Sequence, residues 1–413
     1  MRVSFFLLPF FLYAGVFLQQ AGIFFFCILI PFLASGGLPS SSAKEFRRLS
    51  FCLFIVWLVF PANNLFQFYL DSQPFLFSKE IFRSHLPTTV LLSSIGLFCG
   101  SYFPCRKETS SQVVVKSFLN GLFYATLIYF SYCFLQFITG FSYNQPGLQL
   151  SDAQKMTNGF FRIGGFYGHP LSLAAVCVFL FLFIGHLALQ ASKFSEMKQF
   201  RNKLFVVSAC HFVLCFMSGS RAAGVLAFLG LLFLIQRTKK MSTLMWCLCF
   251  AFGLGSLYVS GILSRLLEMT AEHRTVYRFV FWKAHLQMIM DAPILGHGSF
   301  QMKEFVRDLY YHTSFIRKYN AHNLYLQTLS EVGIFGFMVI VVCSFVGFKS
   351  LRRVFQNTHF ANSLFQSSFL AVGATLLFSL FQNVFFDAQF VAVFLGIFWF
   401  SVWVASLEKL SAR

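Results

Sequence analysis

His322 stands in the run Asn320-Ala-His-Asn-Leu-Tyr-Leu-Gln, where a polar stretch gives way to an apolar one. An imidazole near neutral pH can accept a proton from an attacking hydroxyl, so general-base chemistry is one reading of it. A histidine hydrogen-bonded to backbone at a membrane interface is the other, and position alone favours that second reading. Asn323, Gln327 and Glu331 follow at i, i+4 spacing and form a polar stripe below it. Glu331 either orients those groups or pairs with a neighbouring helix. Arg162 lies in Phe161-Arg-Ile-Gly-Gly-Phe-Tyr-Gly-His-Pro, and His169 opens the apolar run that follows. Arg221 closes Ser218-Gly-Ser-Arg, a tight turn between two short apolar runs, and Arg278 precedes Trp282 by four residues. A guanidinium is a rigid fork of donors matched to phosphate oxygens. Several of them converging on one wet pocket would suit a pyrophosphate group. Taken singly, an arginine at a membrane edge reads as a snorkelling anchor. Arg221 sits in a turn too tight to reach far, so binding comes first there.

What is missing narrows the chemistry further. The chain has no Asp-x-Asp, no His-Glu-x-x-His, no Walker loop and no Gly-x-Ser-x-Gly. The acids expected outside the membrane are scattered, and none forms the close carboxylate pair of a divalent-metal glycosyltransferase site. A reaction without metal or other cofactor is expected, with arginines supplying the electrostatics. The 11 cysteines fall in apolar runs or on the expected cytoplasmic side, so no disulfide framework is implied. Cys247 and Cys249 are read as packing residues, and so are His186 and His211, each alone in an apolar run.

The elements that must position these residues are membrane helices. Of 413 residues 57% are hydrophobic and 11% charged, with a mean hydropathy of +0.69; soluble domains carry about 25% charged residues. Crossing about 30 Å of hydrocarbon needs roughly 17–25 apolar residues. Runs of about that length lie near 3–19, 21–36, 49–70, 86–102, 118–138 and 168–190. Others lie near 204–218, 221–236, 243–263, 323–348, 364–383 and 388–406. The expected fold is therefore all-α: a polytopic integral membrane protein of about 12 transmembrane helices, forming a single domain over 1–413. With the N-terminus inside, 19 of the 32 basic residues fall in cytoplasmic segments. Eight of the remaining 13 sit in one long loop, where the positive-inside rule weakens. Twelve spans return both termini to the cytoplasm. The net charge of +18 then reflects basic residues facing anionic membrane lipids, and no nucleic-acid partner is expected.

Two long loops, 139–167 and 264–322, lie on the outer side in this topology, and loops of that length tend to be functional. The second holds half of the ten histidines together with Arg265, Arg274, Arg278, Arg307 and Arg317. Within it, Val276–Met290 predicts a helix at the surface, broken by Asp291-Ala-Pro-Ile-Leu-Gly-His-Gly.

Those blocks, in order, resemble the O-antigen ligase and polymerase superfamily. The resemblance is carried by the Arg162 segment, Ser218-Gly-Ser-Arg-Ala-Ala-Gly, Arg278-x3-Trp282, the Asp291 block, and Ala-His-Asn-Leu-Tyr-Leu-Gln-x4-Val-Gly-Ile-Phe-Gly. It covers residues 160–345, a ligase-like core that includes the periplasmic loop 264–322 with its short helices. The resemblance implies a metal-independent, inverting glycosyltransferase in the bacterial inner membrane, facing the periplasm. The donor would be a glycan on undecaprenyl diphosphate. His322 would be the general base, and Arg162, Arg221 and Arg278 would hold the diphosphate. His169, Glu331 and His297 are supporting candidates; His297 stands where a small or apolar residue is expected. The ligase reading, with lipid A–core oligosaccharide as acceptor, leads. A polymerase, whose acceptor is a second lipid-linked glycan, is the nearest rival, followed by a protein glycosylator. A flippase or transporter would place its ionisable groups near the bilayer midplane, whereas here they gather at one face.

Overall fold

The computed structural model describes residues 44–59 (except 46 and 57), 111–142, much of 150–167, and 169–237 except 195–196. It also describes 273–298, 321–355, 359–382 and scattered positions of 390–404. Among these the chain is mainly helical, with an isolated β-bridge between Lys155 and Phe161. The helices are α1 (Ser111–Thr139), α2 (Pro170–Ala191), α3 (Arg201–Met217), α4 (Arg221–Gln236), α5 (His273–Asp291), α6 (Leu324–Phe355) and α7 (His359–Phe378). Five runs are long and apolar enough to cross a membrane: α1, α2, α3 with the short 3-10 turn before it, α6 and α7. Apolar α4, at 16 residues, is shorter. The spans expected near 3–19, 21–36, 86–102 and 243–263 lie outside the described residues; those near 49–70 and 388–406 are described in part.

α2 is the hub. His169 caps it, Nδ1 accepting from Leu171 N at 3.3 Å, and Pro170 opens it where no N–H is needed. Its apolar residues run all the way round, the pattern of a helix enclosed by others, and nearly every side chain is buried. α3, α4 and α7 pack around it. Between membrane helices lipid supplies no hydrophobic drive, so small residues and hydrogen bonds do the joining. Ala223, Ala227 and Gly230 of α4 are buried, and Gly230 admits the Leu182 side chain. Ser208 Oγ donates to Phe181 O at 3.0 Å, His186 Nδ1 lies 2.9 Å from Ser367 Oγ, and Lys203 donates to Asn120 Oδ1 at 2.7 Å. His186 and His211 thus have structural partners, the latter bonding Val207 O. The outward faces are apolar instead. Ile334, Phe335, Met338, Val341, Val342 and Phe345 form an exposed stripe along α6, a surface suited to lipid.

The span expected over 323–348 is not one straight helix. Gly333 has φ 64° and ψ −178°, and it divides α6 into a head, 324–332, and a shaft. The shaft of 22 residues, at a rise of about 1.5 Å each, covers about 33 Å and suffices to cross a bilayer. In an unbroken helix Ile334 N and Phe335 N would donate to Ser330 O and Glu331 O. Here those carbonyls accept from His297 N and Gly298 N, both at 2.9 Å. The freed donors bond Pro293 O at 2.8 Å and Ile294 O at 3.1 Å. These two carbonyls and two N–H groups are therefore all satisfied by the Pro293–Gly298 segment that follows α5. A Cβ at Gly333 would meet the Ile294 carbonyl, and one at Gly296 would lie 2.5 Å from Gly333 N. The two backbones touch, and only glycine allows it.

Chain direction gathers the ends of α1, α3 and α7 and the start of α6 at one pole. Phe161 N donates to Phe137 O, Ile163 N to Met217 O and Leu324 N to Ser379 O. The opposite pole is fastened differently. There Glu45 Oε1 accepts from Arg353 at 2.9 Å and Arg48 at 3.3 Å, joining the helical run near residue 45 to the end of α6.

Gly333→Ala is expected to lower the detergent thermal midpoint, because its backbone region costs a non-glycine residue about 1–3 kcal/mol before the collision is counted. Gly373→Ala, with open space around its Cβ position, is expected to be neutral or slightly stabilising; equal midpoints for both variants would contradict the docking. For topology, a cysteine at exposed Lys155 is expected to react with an impermeant thiol reagent outside intact spheroplasts, and one at exposed Ser192 is not. The reverse pattern would invert the chain in the membrane.

Candidate active site

The Arg162 segment is held from below by a buried polar residue near the end of α1. Buried Gln136, on α1, accepts through Oε1 from Gly164 N at 3.2 Å and Gly165 N at 2.9 Å. Gly165 also presses against Tyr129 of α1, leaving no room for a side chain. Arg162 then lies across the Ser218–Arg221 turn. Its Nε donates to Ser218 O at 3.4 Å, and a Cβ at Gly219 (φ 63°) would sit 2.9 Å from the Arg162 Cγ and Nε. The arginine fills the place that the missing side chain vacates.

The turn is rigid for local reasons. Ser218 Oγ donates to Cys215 O at 2.6 Å and accepts from Ser220 N at 3.2 Å. Ser220 caps α4, accepting from Ala223 N at 3.4 Å. Arg221 is consequently the first residue of α4, at the positive end of its dipole. Arg278, half-buried on α5, lies within electrostatic range of Arg221. Burial first, and then the Arg221 charge, push Arg278 below the ordinary arginine value. Arg162 lies on the turn that leads into Arg221, and Arg278 comes within electrostatic range of Arg221, so a loop, a helix start and a surface helix bring three arginines to one region. Bringing like charges together is unfavourable, and an anion between them would offset that.

α5 connects this cluster to His322. Arg278 and Trp282 share a helix face at i, i+4, about 6 Å apart along the axis. Trp282 Nε1 donates to Ala321 O at 2.9 Å, and the Phe281 ring centroid lies 6.4 Å from that of His322. Ala321 N is held too, by Gln327 Oε1 at 3.2 Å. The Gln327 amide is itself oriented because its Nε2 donates to Glu331 Oε1 at 2.7 Å. Asn323 caps the α6 head, its Oδ1 accepting from Tyr325 N and Leu326 N. The polar stripe seen in the sequence is therefore a buried scaffold under the His322 backbone. His322 itself has φ 49°, a region that few non-glycine residues occupy. Its Nδ1 lies 3.0 Å from Gln382 Oε1, just past the end of α7.

The supporting candidates have distinct places. Glu331 is buried inside the scaffold. His297 Nε2 lies 3.0 Å from Met288 O while its backbone N docks on Ser330, so the residue fastens α5 to the loop after it. His169 is the α2 cap, and its ring accepts from its own helix. Sequence reasoning missed Gln136, Gln382 and the pair His285–Ser330. His285 is buried on α5 with Nδ1 2.7 Å from Ser330 Oγ, and desolvation lowers its pKa to about 4. A lone glutamine at an apolar run's outer end was the available signal for the first two. His312, Arg265, Arg307 and Arg317 lie outside the described residues.

No curated protein matches the chain significantly. Residues 204–341, from α3 through the docked Gly333 and on into the shaft of α6, match the family described as O-Antigen ligase. That match takes in Arg221, Arg278 and His322, and it supports placing this membrane protein in the O-antigen ligase and polymerase superfamily.

Proposed function

We propose that the chain is an inverting, metal-independent glycosyltransferase of about twelve spans in a bacterial inner membrane. Both termini are cytoplasmic. It transfers a glycan from undecaprenyl diphosphate to lipid A–core oligosaccharide on the periplasmic face. The observation that carries this reading is the convergence of Arg162, Arg221, Arg278 and the His322 segment at one pole of the bundle. A transporter would hold its polar groups at mid-depth. Among the described residues no three His, Cys, Asp or Glu side chains gather in one place.

The chemistry follows from the parts. The acceptor hydroxyl oxygen attacks the anomeric carbon from the face opposite the diphosphate, and the new glycosidic bond forms with inversion. The bond from that carbon to the phosphate oxygen breaks, and its electron pair leaves with the diphosphate. The three guanidiniums stabilise the charge that develops there, so no protein acid is required. His322 takes the hydroxyl proton as attack proceeds.

His322→Ala is expected to leave insertion and donor binding intact while turnover falls by about 10²–10⁴-fold. Arg221→Ala is expected to weaken donor binding and turnover together, and Arg221→Lys to recover only part, since it keeps the charge and loses the fork. These are read with purified protein, lipid-linked donor and acceptor. Near-normal turnover in His322→Ala removes the base, and activity abolished by chelator and restored by a divalent metal removes the metal-free mechanism.

The acceptor is tested in cells. Deletion is expected to leave long polymer on undecaprenyl diphosphate and bare core in the lipopolysaccharide. Core capped by a single repeat would instead assign the chain as a polymerase.

A further inference from the structure

We propose that Gln382 is the positioning residue that fixes the tautomer and orientation of the His322 ring, with Nδ1–H donating to Gln382 Oε1 and the basic lone pair held on Nε2. The proposal rests on the reading of His322 as the base. A neutral imidazole carries one proton on two nitrogens, and the partner of one nitrogen decides which is left to act. Gln382 Oε1 stands 3.0 Å from Nδ1, a distance for a made hydrogen bond.

The surroundings give that bond a fixed frame. Gln382 N donates to Phe378 O at 3.1 Å, so the glutamine belongs to the closing turn of α7. The same turn supplies Ser379 O to Leu324 N at 2.9 Å, next to the histidine in the α6 head. One piece of chain therefore grips both the backbone beside His322 and its ring. On the other side Trp282 and Gln327 hold Ala321. The positive φ of His322 is thereby overdetermined, the condition under which strained residues persist at functional sites.

An amide has a consequence that a carboxylate would not. It holds the tautomer at every working pH without adding a negative charge that stabilises the imidazolium. A base must be unprotonated to act, so a carboxylate at this position would keep it protonated and idle up to a higher pH. The other charged or titratable groups on the elements packed here include Arg278, Lys283, His285 and Asp291 of α5, Tyr325 and Glu331 of the α6 head, and Arg221 of α4. All of them are unchanged in the variants below, so a shift of the pH profile reports on position 382.

The test uses full-length protein in detergent or nanodiscs with lipid-linked donor and acceptor. Gln382→Leu is expected to lower kcat by up to about 10²-fold with little change in either KM, the mark of a misplaced reacting group. Gln382→Glu is expected to move the acidic limb of the kcat profile to higher pH by about one unit or more. A purely structural role would lower the thermal midpoint without moving that limb. Wild-type kcat in Gln382→Leu, or a Gln382→Glu profile superimposed on wild type, overturns the proposal; the leucine variant keeps it testable should the glutamate fail to insert. His322→Ala separates the two levels. If it is active, the base reading falls and the orienting role with it. If it is inactive while both Gln382 variants behave as wild type, only the orienting role falls.

Discussion

The exchange of four backbone hydrogen bonds at Gly333 is the constraint on which the rest of the Arg221–His322 pole depends. Inside a membrane an unpaired N–H or carbonyl costs several kcal/mol, so a helix cannot simply stop and restart. α6 breaks because Pro293–Gly298 carries two donors and two acceptors at the matching spacing. Those partners are available only where both chains are stripped to glycine. Once the loop is docked, α5 is fastened along the α6 head, reinforced by His285 on Ser330 and by His297 on Met288.

That fastening is what lets distant parts of the sequence share one site. Arg278 rides on α5 and would have no fixed place without it. Arg162 and Arg221 are set independently, by a glycine turn and by a glutamine reaching out of α1. His322 is held from three sides, by α5, the α6 head and the end of α7. Rigid placement of charge matters most where water is excluded, because reorganising the surroundings during reaction is then avoided. This pole is built from backbone bonds and buried amides, which have little freedom to reorganise. The opposite pole, with its exposed Arg48 and Arg353 about Glu45, is a looser fastening.

Much of this was legible in the residues. The apolar runs gave α4 at Arg221–Gln236 without adjustment, and the stretch Val276–Met290 of the long loop gave α5 to within a few residues. The tight turn before Arg221 followed from Ser-Gly-Ser. The break at Gly333 was hidden, because Val-Gly-Ile-Phe-Gly sits in an apolar run whose hydropathy does not fall at the kink. Gln327 and Glu331 showed as a stripe, yet their mutual bond and their grip on Ala321 are tertiary facts. Gln382 was invisible as a partner of His322, since sixty positions separate them. Periodicity reports which face is polar; it does not report which distant turn will meet it.

The proposed mechanism requires a diphosphate site at this pole, with His322 at its edge. The most direct measurement is a structure of the protein in nanodiscs with the donor, a glycan linked to undecaprenyl diphosphate, bound. Phosphate density between Arg162, Arg221 and Arg278, with the anomeric position facing the His322 ring, is the predicted result. Diphosphate bound elsewhere, with these guanidiniums turned away from it, would contradict the account.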